Sequence, residues 1–307
     1  MLSIKRVFVF EGYIPRGGTY MAYQIGRICY EKFGVPVYVV GSNKTNSNFF
    51  NYDYEFPVVS TEYLHKEVKD DDLLICNPSF SNNFFGIKLP CKKLMYIQDI
   101  KTFQVLDVFF DYYVSVSSFV QDFISRYYNI KTQVILPFIN HHLFNKGLPW
   151  EEREDKFLVL NFKEHTMPLL EHIISCYKKR YPFLQKEIQV ISNVKQEVLA
   201  ELMGRYRYYL TLSPVEGFGL PALEAMASGC AVFGFDGMGG RDYFKPHNSY
   251  VVPYGSINEL IELLYLTELN PEEVFLTAKL GMREAQRFTK QIFDENWFNY
   301  LSEYVFK

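Results

Sequence analysis

The stretch SPVEGFGLPALEAMASG, residues 213–229, decides how this chain is read. It follows a β-rich run at Tyr208–Leu212, so a strand ends where the stretch begins. Gly217 and Gly219 flank Phe218 in a tight turn. Leu220-Pro221 then open a run of small and apolar residues, and proline is at home in a first helical turn. Strand, glycine turn and helix make the half-unit of a parallel α/β sheet. The glycines let backbone come close to a ligand. The helix start offers unpaired N–H groups and the positive end of a dipole, a natural seat for a diphosphate. In open α/β sheets that seat lies at the carboxyl ends of the strands.

Two carboxylates frame the turn. Glu216 sits in the loop, and Glu224 lies about one turn into the helix. They can touch different parts of one ligand, one near its reactive end and one near its nucleoside. A carboxylate accepts well from two vicinal hydroxyls, as on a ribose. Two glutamates alone would read as a capping carboxylate and a surface helix residue. The Gly-x-Gly turn, the proline and the small-residue helix favour the ligand site.

Working outward, strands alternate with helices along the whole chain. IKRVFVF (4–10) reads as a strand, and a loop with Arg16, Gly17 and Gly18 follows. Met21, Ile25, Ile28 and Cys29 then recur at helical spacing, and Gly34 is a stop signal. PVYVV, 72–76, 93–98, 112–116 and 133–136 are further strands, with a helix at 117–128 capped by Ser117 or Ser118. KGLPWEEREDK, around 145–155, is polar and is taken as an interdomain linker. A second series follows: strands at 156–162, 187–192, 208–212 and 231–235, helices at 167–180, 194–204, 219–228 and 256–267, and a helical tail at 271–305. Such alternation means parallel sheets covered on both faces.

A chain of 307 residues is long for one core and suggests two domains. Hydrophobic residues make up 48% and charged residues 22%, as in ordinary globular proteins. The 28 Phe and 24 Tyr read mainly as core and surface filler, with a sugar-binding cleft as the sharper alternative. Residues 1–145 carry 14 basic and 13 acidic side chains, residues 146–307 carry 18 and 22, and the net charge is -3. That balance argues against nucleic-acid binding by bulk electrostatics. Cys29, Cys76, Cys91, Cys176 and Cys230 form no CxxC pair and read as buried free thiols in a reducing compartment. No apolar run is long enough to span a bilayer. A cytoplasmic protein is expected, with peripheral contact at the inner face of a membrane as the closest approach to lipid.

EGFGLPALEAMASG resembles the E-x7-E signature of GT-B glycosyltransferases, in particular the large retaining family GT4, or glycosyltransferase group 1. SVSSFVQDFISRYYNIKTQVILPFINHHLF (115–144), CAVFGF (230–235) and IFDENWFNYLSEYV (292–305) resemble other parts of that family. The resemblance implies an α/β GT-B fold: two Rossmann-like, doubly wound parallel-sheet domains facing across a cleft. Residues 1–146 would be an acceptor-binding domain and 147–288 a nucleotide-sugar donor domain. Residues 289–307 would form a helix that packs back on the first domain.

The resemblance also assigns roles. Glu224 would bind the donor ribose, and Glu216 would contact the transferred sugar near its anomeric centre. Gly217, Phe218, Gly219 and Leu220 would offer backbone N–H groups to sugar and phosphate. Lys163 falls where the family supplies a basic residue to the diphosphate, although the second such residue is missing unless His165 stands in. Gly17 and Gly18, with Arg16, sit where the family's first glycine loop approaches donor phosphate or acceptor. The family often has a His-Asp pair after a central strand; here the pair is Gln98-Asp99. That leaves Asp99 as the candidate catalytic or acceptor-orienting carboxylate. Gly239-Gly240-Arg241-Asp242 is expected to shape the donor pocket. No metal or other cofactor is implied, because helix dipoles and basic side chains neutralise the leaving diphosphate.

The expected activity is retaining transfer of a hexosyl-type sugar from a nucleotide-diphosphate sugar to a hydroxyl of a glycan, lipid-linked or protein acceptor, as in polysaccharide biosynthesis. The alternatives are a catalytically silent GT-B-like subunit or sugar-binding module, and a nucleotide-sugar epimerase. The motif fits several donor bases and sugars alike.

Overall fold

A computed structural model describes residues 4–10, 13–14, 16–41, 50, 52–161, 166–183 and 186–307. Lys163 and His165 lie outside the described residues. The chain divides into two compact units, Met1–Pro137 with Lys290–Lys307, and Phe138–Thr289.

The first unit is built on a seven-stranded sheet. Its elements are β1 (Arg6–Phe10), α1 (Gly17–Phe33), β2 (Val37–Val40), β3 (Val58–Val59), α2 (Thr61–Glu67), β4 (Asp72–Cys76), α3 (Phe85–Lys88), β5 (Lys92–Ile97), β6 (Tyr112–Ser115), α4 (Ser118–Tyr128) and β7 (Gln133–Val134). The strand order is β3-β2-β1-β4-β5-β6-β7, with every pairing parallel. Central strands buried on both faces need unbroken apolar runs. Val7–Val9, Leu73–Ile75 and Leu94–Ile97 supply them and are all buried. α1 stops at Gly34, whose φ of 65 lies in the left-handed region and whose N–H donates to the Tyr30 carbonyl. Ser117 caps α4, its side chain accepting from the Val120 N–H.

The second unit begins with α5 (His141–Phe144) and continues through β8 (Glu154–Leu160), α6 (Thr166–Arg180), β9 (Glu187–Ile191), α7 (Gln196–Arg205), β10 (Tyr206–Thr211), α8 (Leu220–Ala227), β11 (Ala231–Phe235), β12 (Tyr250–Val252), α9 (Ile257–Leu269) and α10 (Pro271–Ala285). Its five strands are parallel, in the order β12-β11-β10-β8-β9. Aromatic rings fill this core: Phe157 lies 4.8 Å from Tyr208, and Phe233 stacks on Tyr250 at 4.4 Å. Here the abundant Phe and Tyr serve as packing. All five cysteines are free, and four are buried.

The sequence predicts the first domain boundary at 146/147, whereas the structure divides at 137/138. The segment after Pro137 belongs with the second unit because its apolar side chains are buried there. Phe144 of α5 is fully buried where α5 meets α7 and α8, and the Ile139 N–H donates to the Phe288 carbonyl. The last helix, α11 (Lys290–Tyr300), returns to the first unit. Buried Arg27 of α1 reaches Asp294 and Glu31 at 2.5 Å. Trp297 is fully buried, edge-on to Tyr96 at 5.2 Å. Those contacts explain why the C-terminus closes the first unit.

Candidate functional site

In the second unit the strand order reverses beside β8: the chain runs β8 to β9 on one side and returns to β10 on the other. Crevices at the carboxyl ends of strands form at such switch points. A small pocket opens there, lined by Leu160, Thr166, Thr211, Ser213, Glu216 and Gly219 among others. The two-glycine turn thus lies at the place where the topology leaves room for a ligand.

Gly219 is the residue before α8 and adopts φ 88. A side chain there would be strained and would crowd the Tyr243 hydroxyl at 3.0 Å. Tyr243 is buried and its hydroxyl donates to the Gly219 carbonyl, which holds the mouth of the helix. Gly217 and Phe218 are buried, whereas Gly219 and Leu220 are partly exposed.

Glu216 is half-buried in the pocket wall. Its backbone is held on both sides: its N–H donates to the Gly237 carbonyl at 2.7 Å, and its carbonyl accepts from the Gly239 N–H at 3.2 Å. The loop after β11 therefore pairs directly with the site, as the glycines at 237–240 suggest. A Cβ on Gly237 would meet Glu216 Cγ at 3.0 Å. Met238 between them adopts φ 67, a conformation that costs a non-glycine residue and that recurs at binding sites. The Asp236 carboxylate fixes this loop by accepting from the Met238 N–H and from Arg241 Nε.

Glu224 lies deeper on α8 and is only 8% exposed. Burial pushes its carboxyl up to about 7, against a small opposing effect of Gln196. Gln196 Nε2 of α7 donates to Glu224 Oε1 at 3.4 Å, and among the described residues no other side chain bonds it. A carboxylate has about four acceptor positions, so most of its capacity is open. Tyr209 is buried near both glutamates. Burial first, then the charges of Glu224 and Glu216, hold its hydroxyl protonated far above the ordinary range. Gln196, Tyr209 and Tyr243 escape a reading of the sequence, because nothing in their local pattern marks them; only the fold brings them to α8.

The first-unit residues form a separate group. Gly17 and Gly18 open α1 after Arg16, which is exposed and has extended backbone. Gln98, just past β5, donates from Nε2 to the Gly18 carbonyl at 2.8 Å. A Cβ on Gly18 would lie 2.5 Å from Gln98 Oε1, so any larger residue there would displace the Gln98 amide. Asp99 Oδ1 accepts from the N–H groups of Ile100 and Lys101, at 2.6 and 3.0 Å. This carboxylate folds its own loop, an Asx turn. The structure therefore joins Gln98 to the Gly17-Gly18 turn and leaves Asp99 partly engaged.

Residues 181–291 match the profile of the family described as Glycosyl transferases group 1. That stretch is similar to group 1 glycosyltransferases. The matched stretch contains Glu216, Glu224 and the glycine turn between them. A curated relative, the GtfA subunit of the UDP-N-acetylglucosamine–peptide N-acetylglucosaminyltransferase of Streptococcus pneumoniae serotype 4, is 35% identical over 75 residues. That match spans 23% of this chain and only 15% of the relative. A glycosyltransferase from Rickettsia africae has a similar fold, with a TM-score of 0.76 over 98% of both chains at 13% identity. Anabaena HepE, solved in complex with UDP and glucose, gives 0.75 over 97% of this chain and 100% of its own at 15% identity. Both parallel-sheet units thus follow the GT-B architecture.

Proposed function

We propose that the chain is a retaining glycosyltransferase of the GT4 type that takes a nucleotide-diphosphate hexose as donor. The observation that carries this reading is the buried, under-bonded Glu224 on the helix whose exposed start faces the switch-point pocket. Two vicinal ribose hydroxyls would complete its hydrogen bonds. The N–H groups at Gly219 and Leu220 and the α8 dipole would hold the diphosphate. Glu216 would accept from hydroxyls of the sugar. The names of the pneumococcal relative and of the HepE complex make uridine diphosphate the first nucleotide to test.

Retention follows from attack on the same face that the leaving group vacates. The anomeric C–O bond to phosphate breaks and its electron pair leaves with the diphosphate. The acceptor oxygen bonds to the anomeric carbon, and its proton passes to the departing phosphate oxygen. The acceptor would be a glycan, lipid-linked or protein hydroxyl bound by the first unit. In this reading Glu216 steadies the sugar and its developing charge, while Gln98 shapes the Gly17-Gly18 turn and carries no proton.

The experiment is Glu216→Ala, assayed by release of the nucleotide diphosphate and by product analysis. Transfer should be abolished with the unfolding transition unchanged. Near-normal turnover would sink the assignment. One observation favours a second reading. The Gln98 amide is committed to Gly18 and supplies no proton carrier at that position, which fits a subunit that binds donor without turnover. Donor binding with no transfer to any acceptor would establish that reading.

A further inference from the structure

The amino edge of the first unit's sheet carries a concentration of apolar surface. Phe84 and Ile87, in and beside α3, are 52% and 64% exposed. Val105, Val108 and Phe109, in the loop before β6, are 65%, 47% and 60% exposed. The two segments are one surface. The Gly86 N–H donates to Asp107 Oδ2 at 2.9 Å, and a Cβ on Gly86 would lie 2.6 Å from Phe109 Cβ. Asp107 also accepts from the Phe109 N–H and is itself buried, so its charge faces inward. The loops are thus locked together while their large apolar side chains point outward, an arrangement that folding alone does not require.

The charges around this surface are mostly basic. Lys88 lies over the Phe84 ring, 5.6 Å from its centroid. Lys92 opens β5 at the same edge. α4 ends and β7 begins at this edge too, bringing Arg126 and Lys131. Among acidic residues, Asp111 is paired with Lys92 and Lys93, while Asp71 and Asp72 at the start of β4 are paired with Lys5 and Arg6. Glu67, at the end of α2, and Asp70 are exposed beside them.

We propose that this edge docks on a bilayer surface containing anionic lipid. Phe84, Ile87, Val108 and Phe109 would enter the acyl boundary, and Lys88, Lys92, Arg126 and Lys131 would meet the headgroups. Apolar tips beside Lys88, Arg126 and Lys131 fit such a surface, whose anionic headgroups supply the counter-charge. Gln98 and the Gly17-Gly18 turn lie at the carboxyl ends of the strands, so docking leaves them uncovered.

The test is co-sedimentation of the full chain with phosphatidylglycerol–phosphatidylcholine vesicles and with phosphatidylcholine alone. Binding should need the anionic lipid and fall with added salt. The pair Ile87→Ser and Phe109→Ser should lower it at least about tenfold with the UDP affinity unchanged. Lys88→Glu, which keeps the apolar surface, should weaken it further at low salt. Equal binding to both vesicle types, or none to either, overturns the proposal. A concentration-dependent dimer split by Phe109→Ser would instead make this edge a contact between copies of the chain, and that too overturns it.

Discussion

Replacing Glu224 by Gln removes one charge and keeps the shape of a side chain that is 8% exposed. Its carboxyl ionises at about 7 in the folded chain, against an ordinary 4.5. The folded chain therefore holds this proton more tightly than the unfolded chain. The resulting stabilisation is fully present below pH 4.5 and is lost as the pH rises through 7. A gap of about 2.5 pH units at about 1.36 kcal/mol each amounts to roughly 3 kcal/mol. Urea denaturation of both proteins, at pH 4.5 and about pH 8, isolates this contribution. Relative to wild type, Glu224→Gln should gain roughly 3 kcal/mol of stability between the two pH values. Uridine diphosphate should report the opposite preference. Wild-type affinity should fall about tenfold per pH unit below 7, since the ribose must meet an ionised carboxylate. The variant should bind about 100-fold more weakly near pH 8, having lost charge-assisted hydrogen bonds, and should keep only the pH dependence of the nucleotide's own phosphate. A flat stability difference would refute the burial argument. Nucleotide affinity within about threefold of wild type would refute the ribose assignment even if the stability result holds.

Gly219→Ala should cost about 1–3 kcal/mol, because alanine is strained at φ 88 and its Cβ would crowd the Tyr243 hydroxyl. Thermal unfolding measures that cost, and calorimetry should show weaker nucleotide binding. Trp297→Ala should lose about 3–5 kcal/mol in chemical denaturation, since the indole is fully buried in the first unit. A loss under about 1 kcal/mol would mean that α11 contributes little to that core.

The candidate site was legible where chemistry and local conformation coincide. Gly219 must be glycine because the chain turns through the left-handed region directly before α8, and Pro221 marks the start of that helix. Those signals stand in consecutive letters. Boundaries were less legible. The linker signal at 145–155 leaves Phe144 in the first domain, yet Phe144 is a core residue of the second unit. Short elements such as β3, α2 and β12 escape prediction because tertiary contacts, not periodicity, sustain them. The Gln98 substitution was visible in the sequence, but its hydrogen bond to Gly18 joins residues 80 positions apart.

By itself the sequence determined that the chain alternates strand and helix, that Glu216 and Glu224 flank a glycine turn, and that a helix starts between them. These are consequences of side-chain period, left-handed glycine and proline geometry, all set within a few residues. Only the tertiary structure decided the environment of those glutamates. It buries Glu224 beside Gln196, which shifts its proton affinity. It locks the backbone of Glu216 to the loop after β11. Burial and long-range hydrogen bonds depend on which segments the parallel sheets bring together, and no local stretch of sequence contains that information.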